Sequence, residues 1–276
     1  TTDGAGYSTQ SLNPYEMAVD LGYSRKLSDA FSMGVVFRYI YSDLGFSDSY
    51  AGDQTSGASA FAADISGFYN SYPIFGRNEC QWTFGFNVSN IGSKISYNNG
   101  EDIAFLPTNL RLGTAFTFPL ADYHNLTLTA DVNKLLVPAK PRMSDYTADE
   151  YGTDVDAQIA YLEDIEDWEN MSSISGIYKS FYDAPGGLKE ELQEIYWSIG
   201  AEYNYNQQFF LRAGYFNEHE NKGNRKYFGF GAGFSLNVLR LDASYMLATA
   251  QTSPLDQTLR FTLTFDMDGL KELIGR

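Results

Sequence analysis

A stretch near the end of the chain, residues 259–267, alternates between bulky apolar and polar side chains. Leu, Phe, Leu, Phe and Met occupy the odd positions, and Arg, Thr, Thr and Asp occupy the even positions. Because successive side chains of an extended strand point to opposite faces, this pattern predicts a strand with one apolar and one polar face. Ten earlier segments between residues 17 and 247 repeat the alternation. The sequence therefore predicts an all-β chain with about eleven visible strands.

The composition of the two faces indicates what surrounds the strands. The chain contains 21 Tyr and 20 Phe, and the polar face carries an ionisable residue on nine of the eleven strands. A soluble β-sandwich binding module would need a core that accommodates eleven rows of large apolar side chains, and we keep it as an alternative. Lipid outside and a polar lumen inside explain the pattern more simply. We therefore predict a transmembrane antiparallel up-and-down β-barrel, which the mean hydropathy of −0.31 does not contradict because alternation averages out.

The predicted connections alternate in length. Short ones lie near residues 28–30, 71–80, 119–125, 204–208 and 236–238, and long ones near 43–57, 90–107, 134–194, 217–226 and 248–257. Outer-membrane barrels have short periplasmic turns and long extracellular loops, so the last strand is expected to end with a periplasmic C-terminus. Such barrels also have even strand numbers. We therefore expect residues 1–276 to form a single barrel domain that lacks its N-terminal strands.

Residues 138–194 are predicted to be a long acidic extracellular loop insertion. Ile159, Leu162, Ile165 and Trp168 have helical spacing, and another helical turn is expected from Leu188. Ten acidic residues and no Lys or Arg lie between positions 145 and 169. One interpretation is a solvated surface facing lipopolysaccharide and divalent ions. The other is a partner- or cargo-binding surface for a basic patch, with these four apolar residues, Asp164 and Asp167 as contacts.

The polar faces of the strands carry residues that could form a network in the lumen: Arg38, Asp64, Arg111, Asp131, Arg212, Arg240, Asp242 and Arg260. This set is interpreted as a structural ion-pair network, with a permeation or cargo path as the alternative. Gly229, Gly231 and Gly233 form a small-residue stripe on the same face. The stripe provides either room for an inserted loop or packing space for large neighbours.

No motif indicates catalysis, a cofactor or a metal. His124 and His219 fall in a predicted turn and a predicted loop, no His/Cys cluster has zinc spacing, and the acidic insertion lacks the EF-hand pattern. The single cysteine, Cys80, excludes an internal disulfide, and the net charge of −16 argues against nucleic-acid binding. We predict a protein that is not an enzyme.

Five segments resemble the PorV family, the FadL-like outer-membrane β-barrels of the type IX secretion system. They are FLPTNLRLG at 105–113, NKLLVP at 133–138, YDAPGGLKEELQEI at 182–195, LRAGYFNEHENKGNRKYF at 211–228 and SPLDQTLRF at 253–261. The resemblance implies a complete barrel of fourteen strands. One departure is the tail at 268–276, for which we predict a short periplasmic helix.

The resemblance also implies a function and partners. It implies an outer-membrane protein of a Gram-negative bacterium that acts as a shuttle or adaptor. Secreted cargo would be received from the large translocon barrel through its C-terminal signal domain and passed to a surface attachment complex containing a sortase-like protease. The alternative is a FadL-type channel for hydrophobic small molecules, which would need an apolar pocket below a plug.

Overall fold

The computed structural model describes residues 14–43, 57–97, 102–249, 256–267 and 269, and the eleven predicted strands are all present among them. Their bounds are β1 Tyr15–Lys26, β2 Phe31–Asp43, β3 Ala58–Ser71, β6 Gln81–Gly92, β9 Asn109–Ala121, β10 His124–Leu135, β11 Tyr196–Tyr205, β12 Phe209–Asn217, β13 Lys226–Leu236, β14 Leu239–Ala248 and β15 Leu259–Phe265. Two small hairpins lie within connections: β4 Ile74–Phe75 with β5 Asn78–Glu79, and β7 Ile95–Tyr97 with β8 Asp102–Ala104.

The eleven long strands form one antiparallel sheet in which each strand pairs with its neighbours along the chain. This confirms the predicted all-β class and the up-and-down order. It does not give the two facing sheets of a β-sandwich. Among the described residues, β1 and β15 each pair on one side only. In the same part of the chain, no helix has the length and apolar character needed to cross a membrane.

The pairing register keeps the apolar and polar faces separate across the sheet. Leu128 lies opposite Phe116 and Ala201, whereas Glu202 lies opposite Arg212 on the other face. Tight turns preserve this register. Asn206 and Gln207 between β11 and β12 both have positive φ, as in the type I′ turns that match the twist of antiparallel strands.

The connection between β10 and β11 folds into four helices: α1 Ala148–Tyr151, α2 Asp154–Asn170, α3 Ser173–Lys179 and α4 Leu188–Gln193. The helix expected around Ile159 to Trp168 and the helical turn expected from Leu188 are therefore present, whereas α1 and α3 were not predicted. Thr153 begins α2, and its side chain accepts a hydrogen bond from the backbone N–H of Asp156. Ser172 begins α3 in the same way, with Ser175 as donor.

The connection between β6 and β9 folds back against the sheet. Ile95 and Leu106 pack against three alanines of β3, at positions 58, 60 and 62, and the Tyr97 hydroxyl donates to Ser42 Oγ at 2.8 Å. Ala62 lies opposite Arg38, so this packing is on the polar face. Small side chains on β3 leave the space that the hairpin occupies.

Several predictions fall on residues that the structure leaves undescribed. Most of the predicted long connections at 43–57 and 248–257 lies outside the described residues, at 44–56 and 250–255. The predicted tail helix at 268–276 also lies outside them, apart from residue 269.

Candidate functional site

The polar face of the first strands carries a network centred on Arg38. Its guanidinium binds both carboxylate oxygens of Asp20, at 2.8 and 2.9 Å, and approaches Asp64 at 3.2 Å. A third contact joins it to the side-chain oxygen of Asn90. Asn90 has φ of +59° at a bulge in the β3–β6 pairing, and its backbone N–H donates to Asp64 Oδ1 at 2.7 Å. The predicted residues Arg38 and Asp64 thus hold a distortion of the sheet.

A second network occupies the same face of the last strands. Arg212 joins Glu202 at 2.5 Å to Asp242 at 2.6 Å, and Arg240 binds Asp242 at 2.7 Å. The ring of Phe210 lies 5.2 Å from the Arg212 guanidinium and 4.5 Å from that of Arg240. This arrangement fits the structural ion-pair interpretation for Arg212, Arg240 and Asp242.

The other three predicted members form no ion pair within the described part of the chain. Arg111 donates to the Asn133 side chain at 2.7 Å, and Asp131 accepts a long hydrogen bond of 3.5 Å from Ser198. Arg260 lines a cavity on the polar face. Among the described residues, five of the eight predicted members are therefore ion-paired, in two separate groups.

Three cavities of about 320, 390 and 420 Å³ lie along the polar face, and all three are lined by Thr129. Arg111 and Asp131 line the cavities of about 320 and 420 Å³, and Arg260 lines the cavity of about 390 Å³. Different glycines of the stripe agree with different interpretations, packing space for large neighbours or room for an inserted loop. A side chain at Gly233 would meet Asp242, so that glycine allows packing, whereas a side chain at Gly229 would meet nothing within 4 Å.

The C-terminal end of the long helix α2 is fixed to the connections that follow β6, β8 and β10. Trp168 is 5% exposed, its indole N–H donates to the Pro138 carbonyl at 3.2 Å, and its ring meets that of Phe105 edge-on at 5.1 Å. Lys94 donates to the last carbonyls of the helix, those of Trp168 at 3.2 Å and Glu169 at 2.7 Å. A lysine at a helix C-terminus satisfies orphan carbonyls and complements the helix dipole.

This geometry divides the predicted contact residues of the insertion. Trp168 is buried and Ile165 half-buried, so their part in a partner surface is not available in this conformation. Ile159 and Leu162 are 49% and 55% exposed and continue the row begun by Val155. The helical spacing did not predict this difference in exposure. The inward face of α2 is formed by Ala157, Tyr161 and Trp168, and the small Ala157 and the amphipathic Tyr161 do not stand out in a hydropathy pattern.

The two predicted acidic contacts also differ. Asp164 accepts a hydrogen bond from the Tyr146 hydroxyl, and burial together with this carboxylate raises the pKa of Tyr146. Asp167 is exposed and has no ion-pair partner in the portion of the chain that the structure describes. Among the two, Asp167 remains available to a basic partner.

Sequence reasoning missed a clamp, defined here as Lys134, Lys222, Glu190, Glu191 and Glu194. Lys134 binds Glu191 at 2.9 Å and Glu194 at 2.6 Å, and Lys222 binds Glu190 at 2.7 Å and Glu194 at 3.0 Å. The clamp fastens α4 to the end of β10 and to the β12–β13 connection.

The charges of the clamp have shifted pKa values. The hydrogen bond from Lys222 lowers the pKa of Glu190. Burial opposes ionisation of Glu191, but hydrogen bonds from Lys134 and from the backbone N–H of Ala184 outweigh it and lower its pKa. Nearby, burial raises the pKa of Asp183, which accepts the Ala139 N–H at 2.7 Å.

Each of the two histidines forms a hydrogen bond within the chain. His124 forms a short hydrogen bond with the Tyr203 hydroxyl, and His219 accepts the backbone N–H of Asn221 at 3.2 Å in a 3-10 turn. Cys80 directly precedes β6 and is buried. Within the described ranges no group of three or more His, Cys, Asp or Glu side chains has the geometry of a metal site.

Comparison with known proteins identifies the family. The family described as type IX secretion system protein PorV matches residues 4–142, just over half of the chain. The chain belongs to the PorV family. A search of curated proteins returned no match. Membership assigns a role in type IX secretion, and the β-rich architecture is consistent with the outer-membrane location of the family.

The family match and the clamp cover different parts of the chain. Of the five segments that carried the resemblance, 105–113 and 133–138 lie inside the match and the other three lie beyond it. The clamp residues come from segments 133–138, 182–195 and 211–228. These three segments are thus brought together at one end of the sheet. Their common resemblance to the family is the sequence signal that could have located the clamp.

Proposed function

We propose that the chain acts as a shuttle or adaptor of type IX secretion, receiving cargo from the translocon through its C-terminal signal domain and passing it to the surface attachment complex. The family match carries this proposal. The resemblance further suggests a closed fourteen-stranded barrel, with the apolar strand faces toward lipid, the insertion at 138–194 outside the cell and the C-terminus in the periplasm.

The partner surface that we propose is the outward face of α2. Val155, Ile159 and Leu162 form an exposed apolar row at i, i+4 and i+7 spacing. Asp167 and other acidic residues flank it, and the helix contains no Lys or Arg. Such a face suits a partner with aliphatic side chains bordered by basic residues. The aliphatic groups would pack on the apolar row, and the basic groups would pair with the flanking carboxylates.

Co-purification from the native membrane tests the function. Tagged protein should recover a very large barrel or cargo that carries a signal domain. The double variant Ile159→Asp with Leu162→Asp should reduce recovery of the partner, while Ile174→Asp on α3, also at an exposed apolar position, should not. Equal recovery with all variants would refute the α2 surface. Recovery of no secretion component at all would refute the shuttle.

The cavities on the polar face support a second candidate, a FadL-type channel for hydrophobic small molecules. Gly229 leaves open space beside the cavities of about 390 and 420 Å³. Native mass spectrometry separates the two functions. A tightly held lipid in a protein without partners would favour the channel, and protein partners without such a lipid would favour the shuttle. Extraction without detergent would exclude both and favour a soluble module.

A further inference from the structure

Helix α4 has its charged face toward the protein and its apolar face outward. Glu190, Glu191 and Glu194 lie on one side, where they bind Lys134 and Lys222. Leu188 and Leu192, four residues apart, lie on the other side and are 81% and 69% exposed. A surface helix in water normally has the reverse arrangement. The outward leucines therefore require a cover other than this chain's own core.

The position of Lys134 indicates which side of the sheet α4 is on. Along β10, Leu126, Leu128, Ala130 and Val132 share the apolar face with Lys134, because their positions differ by multiples of two. Lys134 has a side chain only 9% exposed, since Glu191 and Glu194 cover its ammonium. Helix α4 is thus fastened to the side of β10 that carries the apolar rows.

The height of α4 along the strands follows from the register. Val132, two residues before Lys134, lies opposite Trp197, and Trp197 packs on Tyr215 at 5.8 Å on the same face. Tryptophan and tyrosine at strand ends form the aromatic girdles that mark the membrane interface of a barrel. Lys134 and the clamp lie just beyond this girdle, at the level of the lipid head groups.

We infer that α4 is an interfacial helix whose Leu188 and Leu192 enter the outer leaflet of the membrane. Phe181 lies on the same side, because its ring is 6.0 Å from the Lys134 ammonium, and it is 46% exposed. Continuity with the apolar face of the strands selects lipid over a protein partner. Interfacial helices bury an apolar face by about 5–10 Å while their polar face stays outside the hydrocarbon. This inference rests on the proposed outer-membrane barrel.

Fluorescence quenching by labelled lipid tests it. Four variants of the full chain each introduce one cysteine: Leu188→Cys, Leu192→Cys, Val132→Cys and Leu162→Cys. The introduced cysteine is labelled with an environment-sensitive fluorophore, and the native Cys80 is buried and does not compete for the label. The protein is placed in nanodiscs of phosphatidylethanolamine and phosphatidylglycerol, with and without lipid that carries a nitroxide near the head group. Val132 is the reference on the strand face, and Leu162 is an exposed leucine of the same insertion on α2.

The nitroxide should quench the fluorescence of the labels at 188 and 192 as strongly as that of the label at 132. The label at 162 should keep its fluorescence. Quenching at 132 without quenching at 188 and 192 would overturn the interfacial helix and leave the barrel intact. It would leave the leucines as a surface for a protein partner. No quenching at 132 would overturn the barrel itself. Equal quenching at 162 would also refute the assignment, since α4 would then be no closer to lipid than α2.

Discussion

Substitution of Lys134 by methionine should release α4 from the end of the sheet. The Lys134 ammonium lies 2.9 Å from Glu191 and 2.6 Å from Glu194, and the Lys134 and Glu191 side chains are 9% and 8% exposed. Methionine has a similar length but no charge, so Glu191 would remain buried next to Asp183 without a cation. Removing one partner of a buried ion pair costs about 3–5 kcal/mol.

We take the lower end of this range for Lys134→Met. Glu194 is less buried and keeps its bond to Lys222 at 3.0 Å, so only Glu191 loses its sole cation among the described residues. A loss of about 3 kcal/mol in local opening free energy corresponds to roughly hundredfold faster hydrogen exchange. The change is expected in the amides of α4 and of the preceding turn, not in the strands.

Hydrogen exchange read by mass spectrometry on the protein in detergent or nanodiscs measures this. Lys26→Met is the matched control, because Lys26 forms a single exposed pair with Asp29, and no change is expected there. Adding Glu191→Gln to Lys134→Met should restore part of the protection, since the uncompensated charge is gone. Unchanged exchange of α4 in Lys134→Met would show that the clamp does not hold the helix.

Further predictions concern the insertion and the bulge in the sheet. Trp168→Ala should destabilise the docking of α2 by about 3–5 kcal/mol, seen as faster exchange throughout α2 and α3, and slow exchange there would contradict the anchor role. Because the pKa of Glu191 is lowered in the folded protein, its ionised carboxylate contributes stability above the ordinary glutamate value of about 4.3, and this stability is lost as the pH falls through the folded value. The hydrogen exchange of α4, corrected for the intrinsic rate, should therefore rise as the pH falls below about 4.3. Asp183 has a raised pKa, so its charge costs stability at neutral pH; Asp183→Asn should leave α4 equally or better protected at pH 7, and reduced protection would refute this. Gly92→Ala would force a methyl group into the Phe61 carbonyl oxygen of β3 and to 2.8 Å from Ala62 Cα, and should lower the yield of folded protein, whereas Gly85→Ala, with 3.7 Å to its nearest neighbour, should not.

The strands were predictable from the sequence because their information is local. A period of two in side-chain polarity is visible within the ten or so residues of a single strand. All eleven predicted strands are present in sequential antiparallel order. The helix near Ile159 was found for the same reason, since a period of 3.6 is also local. Its inward face was assigned less well, because Ala157 and Tyr161 carry little signal of burial in a hydropathy pattern.

Long-range pairing was predictable only where the register fixes it. Glu202 and Arg212 lie opposite each other on adjacent strands joined by a short turn, so their contact follows from the alternation itself. Arg111 and Asp131 also lie on adjacent strands, but Asp131 is opposite Gly113 and Arg111 is opposite Asn133. This offset of one pair leaves Arg111 bonded to Asn133 and without an ion pair among the described residues.

The sequence by itself determined the strand faces, the class of the protein and its resemblance to the PorV family, because alternation and short motifs are properties of contiguous residues. Only the tertiary structure decided which side each helix of the insertion presents. Lys134, Glu191 and Lys222 are separated by 57 and 31 positions, and no periodicity links charges so far apart. Their pairing turns the glutamates of α4 inward and its leucines outward, an orientation that the amphipathic pattern alone would have reversed.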